Sequence, residues 1–113
     1  MKVVWNKLIP FKGFSAINLF GVLFARRDNM NYYSQNRDRW DVLVNHEAIH
    51  TAQMKELLYV GFYLLYFLEF LFRLLFYPRS AYRGISFEKE AYKYENDLTY
   101  LDRRKHYSQW RHA

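Results

Sequence analysis

The chain contains no cysteine among its 113 residues. Disulfide bonds and thiolate ligands are therefore excluded, so a zinc site in this protein needs histidine, aspartate or glutamate as ligands. Proline and glycine are scarce, at two and four residues, and the sequence shows neither internal repeats nor a low-complexity linker. A chain of this length predicts one domain, spanning residues 1–113, around a single core.

The start of the sequence also lacks the pattern of a secretory signal. Residues 1–14, MKVVWNKLIPFKGF, are interrupted by Asn6, Lys7 and Pro10 before any apolar stretch reaches the length of a signal peptide. We therefore expect a cytoplasmic protein, with association with a membrane left open.

Acidic residues are fewer than basic ones, at 11 against 17, which gives a formal net charge of +6. Such a charge attracts nucleic acid or anionic membranes. The basic residues are dispersed, however, and no known nucleic-acid-binding motif accompanies them. The charge pattern therefore favours a solvated basic surface over nucleic-acid binding.

The N-terminal part of the sequence predicts a small sheet. Residues 2–5 and 17–25 are rich in β-branched and aromatic side chains and predict strands. Gly21, in the middle of the second strand, indicates a bulge or a close backbone approach. Together with the helices described next, this predicts an α+β fold: a mostly helical single domain with a small antiparallel β-hairpin or sheet before the first long helix.

The remaining elements are a loop and helices. Residues 26–39 carry almost no aliphatic side chain and predict a polar loop. Helices are predicted over residues 41–56 and 86–103, with Asp38 or Asp41 capping the first and Ser86 capping the second.

The first of these helices carries the sequence NHEAIHTAQ over residues 45–53. His46 and His50 lie four residues apart, so a helix places both imidazoles on one face, where they can hold one metal ion. Glu47 lies about 100° round the helix from His46, so its carboxylate can reach a water on that ion rather than the ion itself. This HExxH pattern predicts a zinc site and favours an enzyme.

A catalytic zinc ion with two histidine ligands needs a third protein ligand and one open position. Glu88 and Glu90, at the start of the last predicted helix, are the best candidates, because the tail residues His106 and His112 would be poorly held. The apolar face of that helix favours Glu90, which lies about 60° from its centre, against about 100° for Glu88. Close approach to the HExxH helix, which requires a small residue, favours Glu88 instead, three residues before Ala91.

HEAIHTAQ followed by a helix that begins FEKEAY resembles the gluzincin clan of zinc metallopeptidases and, at this length, its minimal "minigluzincin" members. The resemblance implies zinc binding by His46, His50 and Glu88, because the clan's downstream glutamate precedes an alanine by three residues. One difference is Tyr92, which stands where many gluzincins have an aspartate that supports a histidine.

The resemblance also implies a reaction, the hydrolysis of a peptide bond in a peptide or protein substrate. Glu47 would act as the general base, and an extended substrate would add as a strand beside residues 17–25. Clan members often use a downstream histidine or tyrosine to stabilise the oxyanion. The candidates here are Tyr100, His106 and Tyr107, and the sequence does not distinguish among them.

Residues 57–77, LLYVGFYLLYFLEFLFRLLFY, form a long apolar segment. Glu69 and Arg73 interrupt it, and tyrosines at helical spacing join them in one polar-tipped stripe. This pattern favours a helix in the core or in a subunit interface of a homo-oligomer, with membrane-surface contact and true membrane spanning as alternatives. Non-catalytic alternatives to a peptidase are accordingly a zinc-stabilised binding module and a membrane-surface module.

Overall fold

The structure is a computed structural model, and it describes residues 1–111. The predicted α+β class is confirmed, with three short strands followed by five helices. The strands are β1 (Lys2–Asn6), β2 (Ala16–Leu19) and β3 (Val22–Arg26), and the helices are α1 (Met30–Gln35), α2 (Arg37–Glu56), α3 (Val60–Phe76), α4 (Ser86–Tyr94) and α5 (Ser108–Arg111).

The predicted strand 17–25 is wrong in one respect, because it is a hairpin rather than one strand. Phe20 and Gly21 both have positive φ, at 53° and 89°, and form a two-residue turn between Leu19 and Val22. Glycine reaches this backbone region without strain, which explains its place in the turn. The predicted antiparallel hairpin is therefore present as β2 and β3.

The sheet as a whole is mixed rather than antiparallel. Strand β1 pairs in parallel with β3, and the strand order is β1-β3-β2. Strand β2 therefore lies at an edge of the sheet. Its Asn18 donates hydrogen bonds to the Glu47 carbonyl at 2.8 Å and to the Thr51 hydroxyl at 2.9 Å, which attach this edge to α2.

The polar loop predicted over residues 26–39 is wrong, because most of it is helical. A 3-10 turn over Arg27–Asn29 leads into α1, and α2 already begins at Arg37. Aromatic packing replaces the missing aliphatic side chains. The Tyr33 ring lies 5.2 Å from that of Trp40, which in turn stacks on Trp5 at 5.0 Å.

The predicted helix caps are also wrong. Asp38 and Asp41 lie inside α2, whose N-cap residue is Asn36. Ser86 is the first residue of α4 and does not cap it. Instead, its backbone N–H and its hydroxyl both donate to the carboxylate of Glu69, at 2.6 and 2.8 Å.

Helix α4 ends at Tyr94, nine residues before the predicted end at residue 103. The side-chain amide of Asn45 on α2 donates to three carbonyl groups there, those of Tyr94, Glu95 and Asp97, at 2.9–3.2 Å. These carbonyls would otherwise lack partners at the helix end. Leu98 lies beyond the end of the helix and is exposed.

The apolar segment 57–77 forms helix α3, as predicted, but it is not a core helix. Only Phe62 is buried, and the polar-tipped stripe faces the protein while most of the leucines face outward. Along the part of the chain that the structure describes, no single helix has the length and apolar character needed to cross a membrane. Helices α2 and α3 meet that test only as a pair, bent by 109°.

Helix α2 is the centre of the fold and packs on two apolar clusters. Its Met54 joins a cluster with Phe62 of α3 and Phe87 of α4. One turn earlier, Ile49 packs with Ala91 of α4 in a second cluster. Because α2 contacts α3, α4 and strand β2, its HExxH motif lies where these three elements meet.

Candidate metal centre

Three buried donor groups from α2 and α4 converge at one point. The Nε2 atoms of His46 and His50 lie 3.2 Å apart, and Oε1 of Glu88 lies 3.1 Å from the first and 3.0 Å from the second. All three residues are at most 6% exposed. The structure thus brings together the two histidines and the glutamate that the sequence analysis selected.

The short distance between the helices depends on a small residue. Ala91 of α4 and Ile49 of α2 are both fully buried in the same cluster. Ala91 lies one turn after Glu88, so the carboxylate projects at the place where the helices approach each other. This arrangement agrees with the argument from close approach that favoured Glu88.

The donor set fits a tetrahedral metal ion. Zinc–nitrogen and zinc–oxygen bonds of about 2.0–2.1 Å at tetrahedral angles separate the donor atoms by about 3.3 Å. The observed separations of 3.0–3.2 Å differ from this value by only a few tenths of an ångström. Two histidine nitrogens and one carboxylate oxygen also form the ligand set of several catalytic zinc sites.

The outer nitrogen of each histidine is held by a second group. His46 Nδ1 lies 2.8 Å from Oε2 of Glu95, and His50 Nδ1 lies 2.8 Å from Oε1 of Gln53. Donation from Nδ1 to these oxygens turns each ring so that Nε2 faces Glu88. Partners of this kind fix the ring orientation and increase the basicity of a metal-ligating histidine.

The electrostatics of the donor set stabilise a charged cluster. Burial raises the pKa of Glu88, but hydrogen bonds from His46 and His50 outweigh it and hold this pKa well below its usual range. Burial likewise lowers the pKa of His50, but the hydrogen bond and the charge of Glu88 raise it to about 9. The Tyr66 hydroxyl donates to the second oxygen of Glu88 at 2.6 Å and fixes the carboxylate.

Glu90, the other candidate third ligand, points away from the histidines. Its carboxylate accepts hydrogen bonds from Arg104 and from the Tyr100 hydroxyl, each at 2.6 Å, and from the Gln53 amide at 2.9 Å. Since Gln53 also contacts His50, Glu90 acts on the cluster only through that glutamine. The apolar face of α4 therefore misplaced the donor group, and Glu88 lies where the motif spacing put it.

Glu47 borders a cavity of about 320 Å³ beside the donor set, together with His50 and Glu88. No side chain of residues 1–111 donates a hydrogen bond to its carboxylate. Burial raises the pKa of Glu47, although the nearby His50 and His46 oppose the shift. A carboxylate with a raised pKa at the edge of a cavity is suited to taking up and releasing a proton.

The opposite walls of this cavity are formed by β2 and by the inner side of α3. Ile17 and Asn18 of β2, Tyr63 and Tyr66 of α3, and Tyr82, which follows α3, all line it. The predicted oxyanion candidates are not among them. Tyr100 is buried against Glu90, while His106 and Tyr107 line a separate cavity with Glu56.

Tyr82 also lines the cavity, and its hydroxyl interacts with the side chains of Glu88 and Tyr92. Burial and the charge of Glu88 raise its pKa, so the hydroxyl keeps its proton. Tyr66 already donates to Glu88, and Tyr63 donates to the carbonyl of Asn18 at 2.9 Å.

His106 is not among the three converging donor groups. His106 Nδ1 lies 2.9 Å from the carboxylate of Glu56, on the other side of α2 from the cavity. His112 lies outside the described residues.

Two important residues were absent from the sequence interpretation. Gln53 lies three residues after His50, and Glu95 lies seven residues, two helical turns, after Glu88. Both spacings place a polar side chain on the same helix face as a ligand, and this signal could have identified them. Glu95, rather than residue 92, accepts the hydrogen bond from the outer nitrogen of His46. The Tyr92 ring instead packs edge-on against the His46 ring at 4.7 Å.

Comparison with models of protein families, with curated proteins and with solved structures finds no match to this chain. The resemblance to gluzincins therefore rests on the two short motifs alone.

Proposed function

We propose that this protein binds one zinc ion through His46, His50 and Glu88 and uses it to hydrolyse peptide bonds. The observation that carries the proposal is the convergence of three buried donor atoms within 3.2 Å of one another beside the carboxylate of Glu47. Zinc, when bound, supplies a Lewis acid that acidifies water and polarises a carbonyl group. Three protein ligands leave one position for that chemistry, as catalytic zinc sites require.

The protein's own side chains would perform the proton transfers. Glu47 takes a proton from the attacking water on its carboxylate and returns it to the leaving amine nitrogen. Its raised pKa supports the first of these steps, since a stronger base accepts the proton more readily. Tyr82 donates its hydroxyl hydrogen bond to the oxygen that becomes negative in the transition state.

The substrate would bind in the cavity between β2 and α3. Part of the β2 edge is already occupied, because the Tyr63 hydroxyl accepts from the Phe20 N–H and donates to the Asn18 carbonyl. Of the three β2 residues that line the cavity, Ala16 and Ile17 lie outside this contact with Tyr63. We therefore expect a short extended segment of peptide to pair there, rather than along all of residues 17–25.

The test is hydrolysis of a fluorescence-quenched, mixed-sequence peptide library by the zinc-loaded protein. Glu47→Gln should retain one zinc ion and its fold but lose hydrolysis, by about a hundredfold or more. Asp41→Asn, an exposed acid on the same helix, is the matched control and should keep full activity. Hydrolysis that survives Glu47→Gln would refute the general-base role. A zinc-loaded wild-type protein that cleaves no member of the library would favour the non-catalytic alternative.

A further inference from the structure

Helix α3 turns its apolar side away from the protein. Six leucine and phenylalanine side chains on it, here called the outer face, are 52–79% exposed: Leu64, Phe67, Leu68, Phe72, Leu75 and Phe76. From one helical turn to the next, their positions differ by three or four residues, which places them on one side of the helix. Large apolar side chains exposed in such a row form a contiguous patch, which indicates an interaction surface.

Specific hydrogen bonds on the opposite side fix this orientation. The Tyr63 hydroxyl bonds to the backbone of β2, the Tyr66 hydroxyl to Glu88, and the Glu69 carboxylate to Ser86. Rotating the helix to bury its leucines would break all three contacts. These hydrogen bonds therefore hold the apolar side of α3 outward. The outer face can be buried only against another molecule.

The exposed charges that flank helix α3 in the sequence are of one sign. Every exposed charged residue between positions 55 and 87 is basic, namely Lys55, Arg79 and Arg83. The acids in this stretch are engaged in the protein, since Glu56 pairs with Arg104 and Glu69 bonds to Ser86. Arg79 and Arg83 line one cavity with Phe70 and Leu74, near the C-terminal end of α3. The Arg83 guanidinium also lies over the Tyr92 ring, 3.9 Å from its centroid.

This charge pattern decides between a second copy of the chain and a lipid surface. In a parallel pair of α3 helices the arginines of the two copies would meet, and in an antiparallel pair they would meet Lys55. Like charges would therefore oppose each other in either orientation. An anionic bilayer complements the same residues, because phosphate headgroups attract the bases while acyl chains cover the apolar side chains.

We propose that the outer face of α3 docks on the surface of an anionic membrane. The helix would lie in the plane of the interface, because one side is apolar and the other is bonded to the protein. Its inner side forms a wall of the cavity through Phe62, Tyr63 and Tyr66, which puts the candidate metal centre about one helix diameter, ~10 Å, from the lipid. The docking proposal does not depend on zinc or on hydrolysis.

Co-sedimentation of the purified full-length chain with lipid vesicles tests the proposal. Vesicles of phosphatidylcholine alone are compared with vesicles that also contain phosphatidylserine. The wild-type chain should bind the anionic vesicles more strongly than the neutral ones. Its binding to the anionic vesicles should weaken as the salt concentration is raised. Arg79→Gln/Arg83→Gln should weaken this binding by about thirtyfold at low salt, from roughly one kcal/mol for each basic residue near the surface. Arg37→Gln/Arg39→Gln, at the distant N-terminal end of α2, is the matched control and should bind as the wild type does.

A second variant tests the apolar contribution. Leu64→Gln/Leu68→Gln/Leu75→Gln changes only exposed positions and should reduce binding to both kinds of vesicle by at least about tenfold. Failure of the wild-type chain to bind anionic vesicles would overturn the proposal. It would also be overturned if Arg37→Gln/Arg39→Gln weakened this binding as much as Arg79→Gln/Arg83→Gln. A wild-type dimer in sedimentation velocity that this leucine variant dissociates, with vesicle binding unchanged, would assign the outer face to a second copy instead.

Discussion

Replacing Glu95 should weaken zinc binding without disturbing the fold. Glu95 lies outside the proposed ligand set, but its Oε2 is 2.8 Å from His46 Nδ1. It thus holds the ring in the orientation that points Nε2 at Glu88. The Glu95 side chain is 22% exposed, and Glu95 is the residue that follows the end of α4. We therefore expect substitutions of this side chain to leave the helix intact.

The magnitude follows from what each substitution removes. Loss of a group that orients a metal-ligating histidine typically costs 10–100-fold in affinity, or about 1.4–2.7 kcal/mol. Glu95→Gln keeps an oxygen that can accept the Nδ1–H but loses the charge, so about tenfold is expected. Glu95→Ala removes both contributions and should approach a hundredfold.

Zinc affinity is measured by competition with a chromophoric chelator, and the fold is followed by thermal unfolding of the metal-free proteins. Asp102→Asn, an exposed acid away from the site, is the control and should match the wild type. An affinity that is unchanged in both Glu95 variants would refute the role assigned to this residue. A large loss in Glu95→Gln accompanied by unfolding would attribute the effect to stability instead.

Two further predictions concern stability. Phe87→Ala should lower the free energy of unfolding by about 3–5 kcal/mol in denaturant titration, because the ring is fully buried and packs on Phe62 at 4.8 Å; a loss under about 1 kcal/mol would contradict this packing. Arg104→Ala should cost a similar amount, about 3–5 kcal/mol, since it leaves two buried carboxylates, Glu56 and Glu90, without their cation. The exposed pair of Arg103 with Asp97 is the control, and Arg103→Ala should cost no more than about 1 kcal/mol.

The positions of the site residues could be predicted from the sequence where they depend on spacing within one helix. The i, i+4 spacing of His46 and His50 on a helix places both imidazoles on one face, whatever surrounds them. The i, i+3 relation of Glu88 to Ala91 likewise places the carboxylate at the close approach of two helices. The first relation depends on helix geometry alone. The second also required that the two helices approach each other at Ala91, an expectation that competed with the apolar face, which favoured Glu90.

The sequence was not sufficient where a distant residue decides the local structure. Helix α4 ends where Asn45, about fifty residues earlier in the chain, caps its last carbonyl groups. The sequence around Tyr94 contains no signal that predicts this end. Similarly, the stripe along α3 was visible, but its direction was not. The general preference for burying leucine places such a stripe outward. Here the partners of Tyr66 and Glu69 on α4 turn it inward.

Zinc content tests the central claim most directly. The wild-type chain, Glu88→Gln and Glu90→Gln are purified with zinc present, dialysed, and compared by elemental analysis. The account predicts about one zinc ion per wild-type chain, retention in Glu90→Gln, and loss in Glu88→Gln. The reason is that Glu88, unlike Glu90, lies within 3.1 Å of both histidine nitrogens. A wild-type content near zero that stays near zero on titration, or loss in Glu90→Gln alone, would contradict it.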